Sequence, residues 1–260
     1  MLLTIDIGNT HTVVGVYGES DRVKPCAMWR VATNKHDTAD DVRAKLLPLM
    51  AAEGVDAQAI GAAALASVVP SLTRAWKGAV RDMANVEVRV CTAEAASASG
   101  LFKSSYPNPH EIGADRVADA VAARALYGSP VVVVDFGTAT NIEVIDAEGN
   151  FVGGMIAPGV ETSASALFSH ATRLSAIDLT APPLPIGTSS EEAMQSGIVY
   201  GEADRVDGLV RRIFAQLGCS GTVVATGGLA KLVAAHSTMI DEVLPELTLE
   251  GLRLLCSDRC

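Results

Sequence analysis

Hydrophobic and polar positions follow one rhythm along this chain, short alternating stretches and then helical spacing, and the rhythm runs twice. Leu2 to Gly8 and Thr12 to Tyr17 are short, β-rich and separated by a polar turn, and Ala27 to Ala32 reads as a third strand of the same meander. Asp40 to Glu53 has helical spacing, with Asp37-Thr38 as its cap and Pro48 as the point where it would bend. Ala62 to Val69 predicts a buried strand, Ser71 to Met83 an amphipathic helix and Glu87 to Thr92 a closing strand. The order is βββαβαβ.

Ala93 to Ile112 lack clean periodicity and carry Ser, Gly and two prolines, so they read as a loop or an interdomain crossing. A helix starts at Gly113 and runs through Tyr127. Val131 to Thr140 follows as an apolar strand that ends, like the first, in acid, glycine and hydroxyls. Asn141 to Asp146 and Phe151 to Ile156 repeat the strand-turn-strand rhythm, and a helix follows near Glu161 to His170. Ser190 to Leu217 is long helical material, Thr222 to Thr226 a buried strand before Gly227-Gly228, and Leu229 to Ala235 a further helix. Leu247 to Leu252 is expected to form a short strand and turn. The chain thus divides into halves of similar plan, 1–112 and 113–260.

Composition narrows the classes. Apolar residues make up 49% and charged residues 19% of the 260 residues, the balance of a globular protein with a large core. The net charge of -10 speaks against a nucleic-acid surface, which needs clustered Lys and Arg. The first apolar run lacks a basic flank and is interrupted by Asp6, so it fits neither a signal peptide nor a membrane span, and a cytoplasmic location is expected. Five cysteines without a C-x-x-C pair read as reduced thiols, and Cys256 and Cys260, although at i, i+4, as incidental neighbours rather than metal ligands. H-E-x-x-H, G-x-S-x-G and Walker A patterns are all missing.

The chemistry is concentrated in the two turns, Asp6-Ile7-Gly8-Asn9-Thr10 and Asp135-Phe136-Gly137-Thr138-Ala139-Thr140. Glycine lets backbone approach an anion, and the neighbouring N–H and hydroxyl groups can grip phosphate oxygens. The acid at the strand end adds an oxygen ligand suited to Mg²⁺. One such turn is commonplace. Two copies, each after the first strand of a similar half, point to a phosphate and metal site.

A pair of such hairpins is similar to those of the acetate kinase, sugar kinase, Hsp70 and actin architecture. Seven segments in order then resemble the type III pantothenate kinases: Asp6-Ile7-Gly8-Asn9-Thr10, Ala66-Ser67-Val68-Val69-Pro70, and Tyr106-Pro107-Asn108-Pro109 running into Gly113-Ala114-Asp115-Arg116. They continue with Asp135 to Thr140, Gly153-Gly154-Met155-Ile156-Ala157-Pro158-Gly159, Met194-Gln195-Ser196-Gly197 and Thr226-Gly227-Gly228. The resemblance implies an α/β fold of two ribonuclease H-like halves with ATP in the cleft between them. It also implies a reaction, phosphorylation of pantothenate to 4'-phosphopantothenate at the start of coenzyme A synthesis.

Residue roles follow from the same resemblance. Asp115 would be the base that takes the hydroxyl proton, although its place near a helix start would by itself depress its pKa. Asp6, Ile7, Gly8, Asn9, Thr10, His11, Thr12 and Val13 would hold ATP and, through Asp6, its Mg²⁺, with Thr138 on the other side. Asp135 resembles the family position that binds a monovalent cation, K⁺ or NH₄⁺. Tyr106, Gly113, Ala114, Asp115, Arg116 and Ser190 would meet pantothenate, Ser190 standing where the family has a threonine. Asp119 is expected to solvate its helix, and the resemblance implies a homodimer. Two alternatives remain open at this stage, a non-catalytic nucleotide-binding regulator of the same fold and a phosphoanhydride hydrolase.

Overall fold

The computed structural model describes residues 1–18, 24–170 and 176–257. Its first sheet is built from β1 (Leu2–Ile7), β2 (His11–Tyr17), β3 (Ala27–Ala32), β4 (Ala62–Ser67) and β5 (Val88–Val90), in the order β3-β2-β1-β4-β5. β1 pairs antiparallel with β2 and parallel with β4, which places Asp6 beside Val13 and Ala66. Leu3, Ile5 and Ile7 of β1 face a core completed by α1 (Ala39–Ala52) and α2 (Pro70–Ala84). α1 starts where the sequence predicts, because Thr38 accepts from the Asp41 N–H while the Asp41 carboxylate receives the Thr38 N–H, and it runs on through Pro48.

The second sheet repeats the first. It contains β6 (Val131–Phe136), β7 (Ala139–Ile145), β8 (Phe151–Pro158), β9 (Thr222–Gly227) and β10 (Glu242–Val243), in the order β10-β9-β6-β7-β8. Read from the other edge, this is the arrangement of the first sheet, with β6 in the place of β1 and Asp135 in the place of Asp6. All four valines of β6 are fully buried, as expected of a central strand covered on both faces. Ala203, Val206, Val210 and Ile213 of α6 (Ser190–Leu217) and Ala230 and Val233 of α7 (Ala230–Ala234) pack in the core of this sheet. The remaining helices are α3 (Ala93–Ala98), α4 (Ala114–Tyr127), α5 (Val160–His170) and α8 (Leu247–Ser257).

Three elements differ from expectation. Leu247 to Leu252 is no strand but the first part of helix α8, because Leu247, Leu249, Leu252 and Cys256 are buried along it. The strand that does close the second sheet is β10, two residues paired with Val224 and Ala225, too short to leave a period in the sequence. Within the expected loop after Thr92 lies α3, capped by the Thr92 hydroxyl 3.1 Å from the Ala95 N–H and so rich in alanine that it shows no apolar stripe.

The described chain forms two compact units, one of Met1–Ala122 with the chain from Leu247 onward, the other of Ala123–Glu246. These units do not divide the chain at residue 112, because α8 returns to the first sheet and contacts β1 and β4. It also meets α4 closely. A Cβ on Gly251 would lie 2.0 Å from the Ala118 carbonyl oxygen, far inside van der Waals contact. Gly251→Ala is therefore expected to destabilise the first unit by about 1–3 kcal/mol or more, measured by denaturant unfolding. An unchanged midpoint would mean that the helices are not in contact there.

Candidate active site

In the first unit the C-terminal ends of the parallel strands β1, β4 and β5 gather the acidic residues, as is usual for ligand sites of open α/β sheets. The β1–β2 turn is closed by the Gly8 N–H donating to the His11 carbonyl at 3.0 Å. Asn9, Thr10 and His11 are exposed at its tip, while Thr12 is buried and shares a 2.9 Å hydrogen bond with Thr33. The chain leaving β4 is tied back by the Val68 N–H to the Ile7 carbonyl, 3.1 Å, and by the Val69 N–H to the Ser67 hydroxyl, 3.1 Å. This turn sets Val68 beside Gly113, where a Cβ on the glycine would be 3.7 Å from the valine methyl. The A-S-V-V-P and G-A-D-R segments thus adjoin.

Asp115 stands in the first turn of α4 and accepts the Arg116 N–H at 2.8 Å. A Cβ on Gly113 would fall 2.4 Å from an Asp115 carboxylate oxygen, so this position has no room for a side chain. Burial raises the Asp115 pKa above the ordinary carboxylate range, and the Arg116 N–H and guanidinium offset only part of that rise. Desolvation therefore outweighs the helix-start effect that the sequence alone suggests.

Cys91, just past β5, marks where the acids converge. Its thiol is pushed up to about 12, by burial first and then by the charges of Asp115, Asp6 and Asp119. It is thus a neutral donor, and it reaches the Ala114 carbonyl at 3.4 Å, next to Asp115. Asp119, expected to solvate its helix, is instead 1% exposed and part of this acidic group. Neither role is legible locally, since a lone cysteine and an acid one helical turn after another acid carry no signal of their own. A cavity of about 380 Å³ opens beside Cys91 between α3, β5 and α8, walled largely by alanine, Val90 and leucine. Tyr106 is half-buried on the connection before Gly113, with its N–H on the Ser104 hydroxyl.

The second unit contains the other turn. The Gly137 N–H donates to the Ala139 carbonyl at 3.0 Å, and Asp135 pairs with Asn141 and Thr226 across the sheet. The Asp135 carboxylate lies among bare backbone: a Cβ on Gly227 would be 2.5 Å from its Oδ1, and one on Gly137 3.5 Å from its Oδ2. Gly227 has φ +92°, a left-handed conformation that glycine tolerates. Gly159 is pressed against the same turn, its N–H on the Thr138 carbonyl at 3.1 Å, and a Cβ there would come within 2.3 Å of the Gly137 carbonyl oxygen.

Gln195 and Ser196 prove to be anchors. They bind the Asp178 carbonyl at 3.1 Å and the Pro185 carbonyl at 2.6 Å, and Tyr200 reaches the Pro182 carbonyl at 2.5 Å, so the chain before α6 is fastened to it. Ser190 begins α6 and is exposed, with Ser189 as the cap. The structure thus brings Asp6, Asp115 and Arg116 into the first unit together with Tyr106, and puts Asp135, Thr138 and Ser190 in the second.

A family model described as type III pantothenate kinase matches residues 2–212. The chain belongs to the type III pantothenate kinase family. A curated relative of that name from Roseiflexus sp. (strain RS-1) is 46% identical over 255 residues, covering 98% of each chain. Another, from Frankia alni, is 44% identical over 261 residues at the same coverage. Among solved structures, the activator of the 2-hydroxyisocaproyl-CoA dehydratase from Clostridium difficile with bound ADPNP aligns with a TM-score of 0.56, over 97% of this chain and 91% of that one. At 13% identity it shows a shared fold alone.

Among the described residues no group of three or more His, Cys, Asp or Glu could hold a metal ion by itself. A Mg²⁺ ion that arrives with a nucleotide keeps water and phosphate ligands and needs only one or two carboxylates. Asp6, near the end of β1, carries a carboxylate of the kind such an ion would need. Asp135 has its carboxylate in a recess bordered by Gly137 and Gly227. Also among the described residues, no helix is long and apolar enough to cross a membrane.

Proposed function

We propose that this chain transfers the γ-phosphoryl group of ATP to the primary hydroxyl of pantothenate, giving 4'-phosphopantothenate and ADP in the cytoplasm. The observation that carries the reading is Asp115, a carboxylate desolvated within a family segment whose match spans most of the chain. As the new O–P bond forms and the bond to the β-phosphate oxygen breaks, the hydroxyl proton passes to the Asp115 carboxylate. A base with a raised pKa holds that proton better than an ordinary carboxylate would. Arg116 holds the pantothenate carboxylate, and Tyr106, Gly113 and Ala114 line its site.

Asn9, Thr10 and Thr138, with the amides of their turns, grip the phosphates, and Asp6 holds the Mg²⁺ that neutralises charge on them. With a net charge of -10 and no P-loop lysine, further positive charge has to be recruited. A monovalent cation, K⁺ or NH₄⁺, on Asp135 supplies it.

Ser190 contacts pantothenate in a homodimer. Supporting this, the anchored chain before α6 displays Leu184 and Ile186 at 68% and 85% exposure, which a loop tied to that helix by hydrogen bonds has no internal reason to do. Light scattering on the purified chain is expected to give twice the monomer mass; a monomer would remove this part of the reading.

The functional test is ADP formation followed against both substrates. Turnover is expected to saturate with pantothenate and to vanish without it. ATP breakdown independent of pantothenate would instead favour a hydrolase, and ATP binding without turnover a regulator.

A further inference from the structure

The geometry points to Glu202 and Arg205 as positioning residues for the Gly137–Thr138 turn. Both lie on α6, three residues apart, on a stretch that reads E-A-D-R and resembles an ordinary solvated face. The Glu202 side chain is instead buried, and its two oxygens are used separately. Oε1 accepts the hydroxyl of Thr140 at 2.7 Å, and Oε2 accepts Arg205 Nη2 at 2.5 Å. The same Arg205 nitrogen donates to the Pro158 carbonyl at 2.9 Å.

Those two ends enclose the turn. Thr140 is the second residue of β7, directly after Gly137-Thr138-Ala139, and is 1% exposed. Pro158 closes β8 and precedes Gly159, whose N–H binds the Thr138 carbonyl. The Thr162 hydroxyl adds a second bond to that carbonyl at 2.6 Å. One carboxylate therefore joins the strand leaving the turn, through Thr140, to the segment that clamps its carbonyls, through Arg205 and Pro158. Nothing else in the chemistry of the reaction calls for a buried carboxylate there. Removing it would leave the Thr140 hydroxyl and the Arg205 guanidinium without their shared acceptor, a change usually much larger than the net worth of one hydrogen bond.

The first unit repeats one of these bonds, the Thr33 N–H on the Thr10 carbonyl at 2.9 Å matching the Gly159 N–H on the Thr138 carbonyl, but has a Thr12–Thr33 hydroxyl pair where the second has Glu202. Thr12 and Thr140 are equivalent, each buried one or two residues past the tip of its turn. Both turns lean on a third strand, and the brace is what the buried threonine of the second turn uses where that of the first pairs with another hydroxyl.

This inference rests on the reading of Thr138 as a contact of the nucleotide phosphates. Its test is the steady-state kinetics of Glu202→Ala and Arg205→Met, with ATP and pantothenate varied separately. The KM for ATP is expected to rise, or kcat to fall, on the order of 10- to 100-fold, as for a displaced positioning element, with the KM for pantothenate unchanged. Double-mutant coupling is also expected, the pair together losing little more than Glu202→Ala alone. Thr138→Ala separates the two claims. If Thr138→Ala leaves ATP use intact, the phosphate reading fails; if it weakens ATP use while the folded brace variants do not, the brace fails.

Should the alanine variant not fold, Glu202→Gln keeps an acceptor for Thr140 and removes only the charge against Arg205. In that variant hydrogen exchange at the Gly159 N–H is expected to quicken while the β6 amides keep their protection. Unchanged exchange at Gly159, or equal loosening throughout the second sheet, would overturn the inference in favour of no role or a merely structural one.

Discussion

Asp115→Asn is expected to lower turnover by at least about 10²-fold, the lower end of the effect of a positioned base, while ATP still binds with near-native affinity. The amide keeps the shape and can still accept the Arg116 N–H seen at 2.8 Å, so only the proton acceptor is lost. The same substitution is expected to make the protein more stable at neutral pH. Burial raises the Asp115 pKa in the folded chain, so the folded state holds its proton more tightly than the unfolded state.

Ionised Asp115 therefore opposes folding. That penalty is absent below the unfolded pKa of about 4, grows as pH rises towards the folded value and is constant above it. The stability gain of Asp115→Asn should follow the same course, appearing as pH rises through that window. In the wild type, the acid limb of the pH–rate profile should accordingly lie above the ordinary carboxylate range. Near-normal turnover in the variant would remove the base role; lower stability at neutral pH would contradict the desolvated site.

Gly227→Ala should affect fold and chemistry together. Its φ of +92° disfavours any side chain, and the new Cβ would lie 2.5 Å from Asp135 Oδ1 and 2.6 Å from the Phe136 carbonyl oxygen. Both neighbours belong to central strand β6, which has little freedom to retreat, so a loss of about 1–3 kcal/mol or more is expected from overpacking alone. What relaxation does occur will move the Asp135 carboxylate. If that carboxylate holds the monovalent cation, the wild type loses activity when K⁺ is replaced by Na⁺, and Gly227→Ala loses that discrimination. A folded Gly227→Ala protein with its K⁺ preference intact would take the cation away from Asp135.

Much of the fold was legible in the sequence, for reasons that individual residues make plain. An acid, a glycine and hydroxyls interrupting Leu2–Ile7 and Val131–Phe136 have no place in a core, so both turns announced themselves, and the identical strand orders of the two sheets bear out the repeat. Helix α8 was hidden because Leu247-Thr248-Leu249 alternates like a strand, and only the distant partner Ala118 explains the glycine at 251. Contacts of that kind, made with residues over a hundred positions away, leave no local period. Asp119 and Glu202 are hidden for a related reason, since their burial depends on what packs above them. Asp115 shows a third case: its position in a helix is readable, but the direction of its pKa depends on desolvation, which a sequence does not display.

The most direct measurement of the central claim is phosphorus NMR of the purified chain with ATP, Mg²⁺, K⁺ and pantothenate. A single new phosphomonoester signal is expected to grow in step with ADP, with no reaction when pantothenate is left out. Inorganic phosphate appearing at the same rate with or without pantothenate would contradict it.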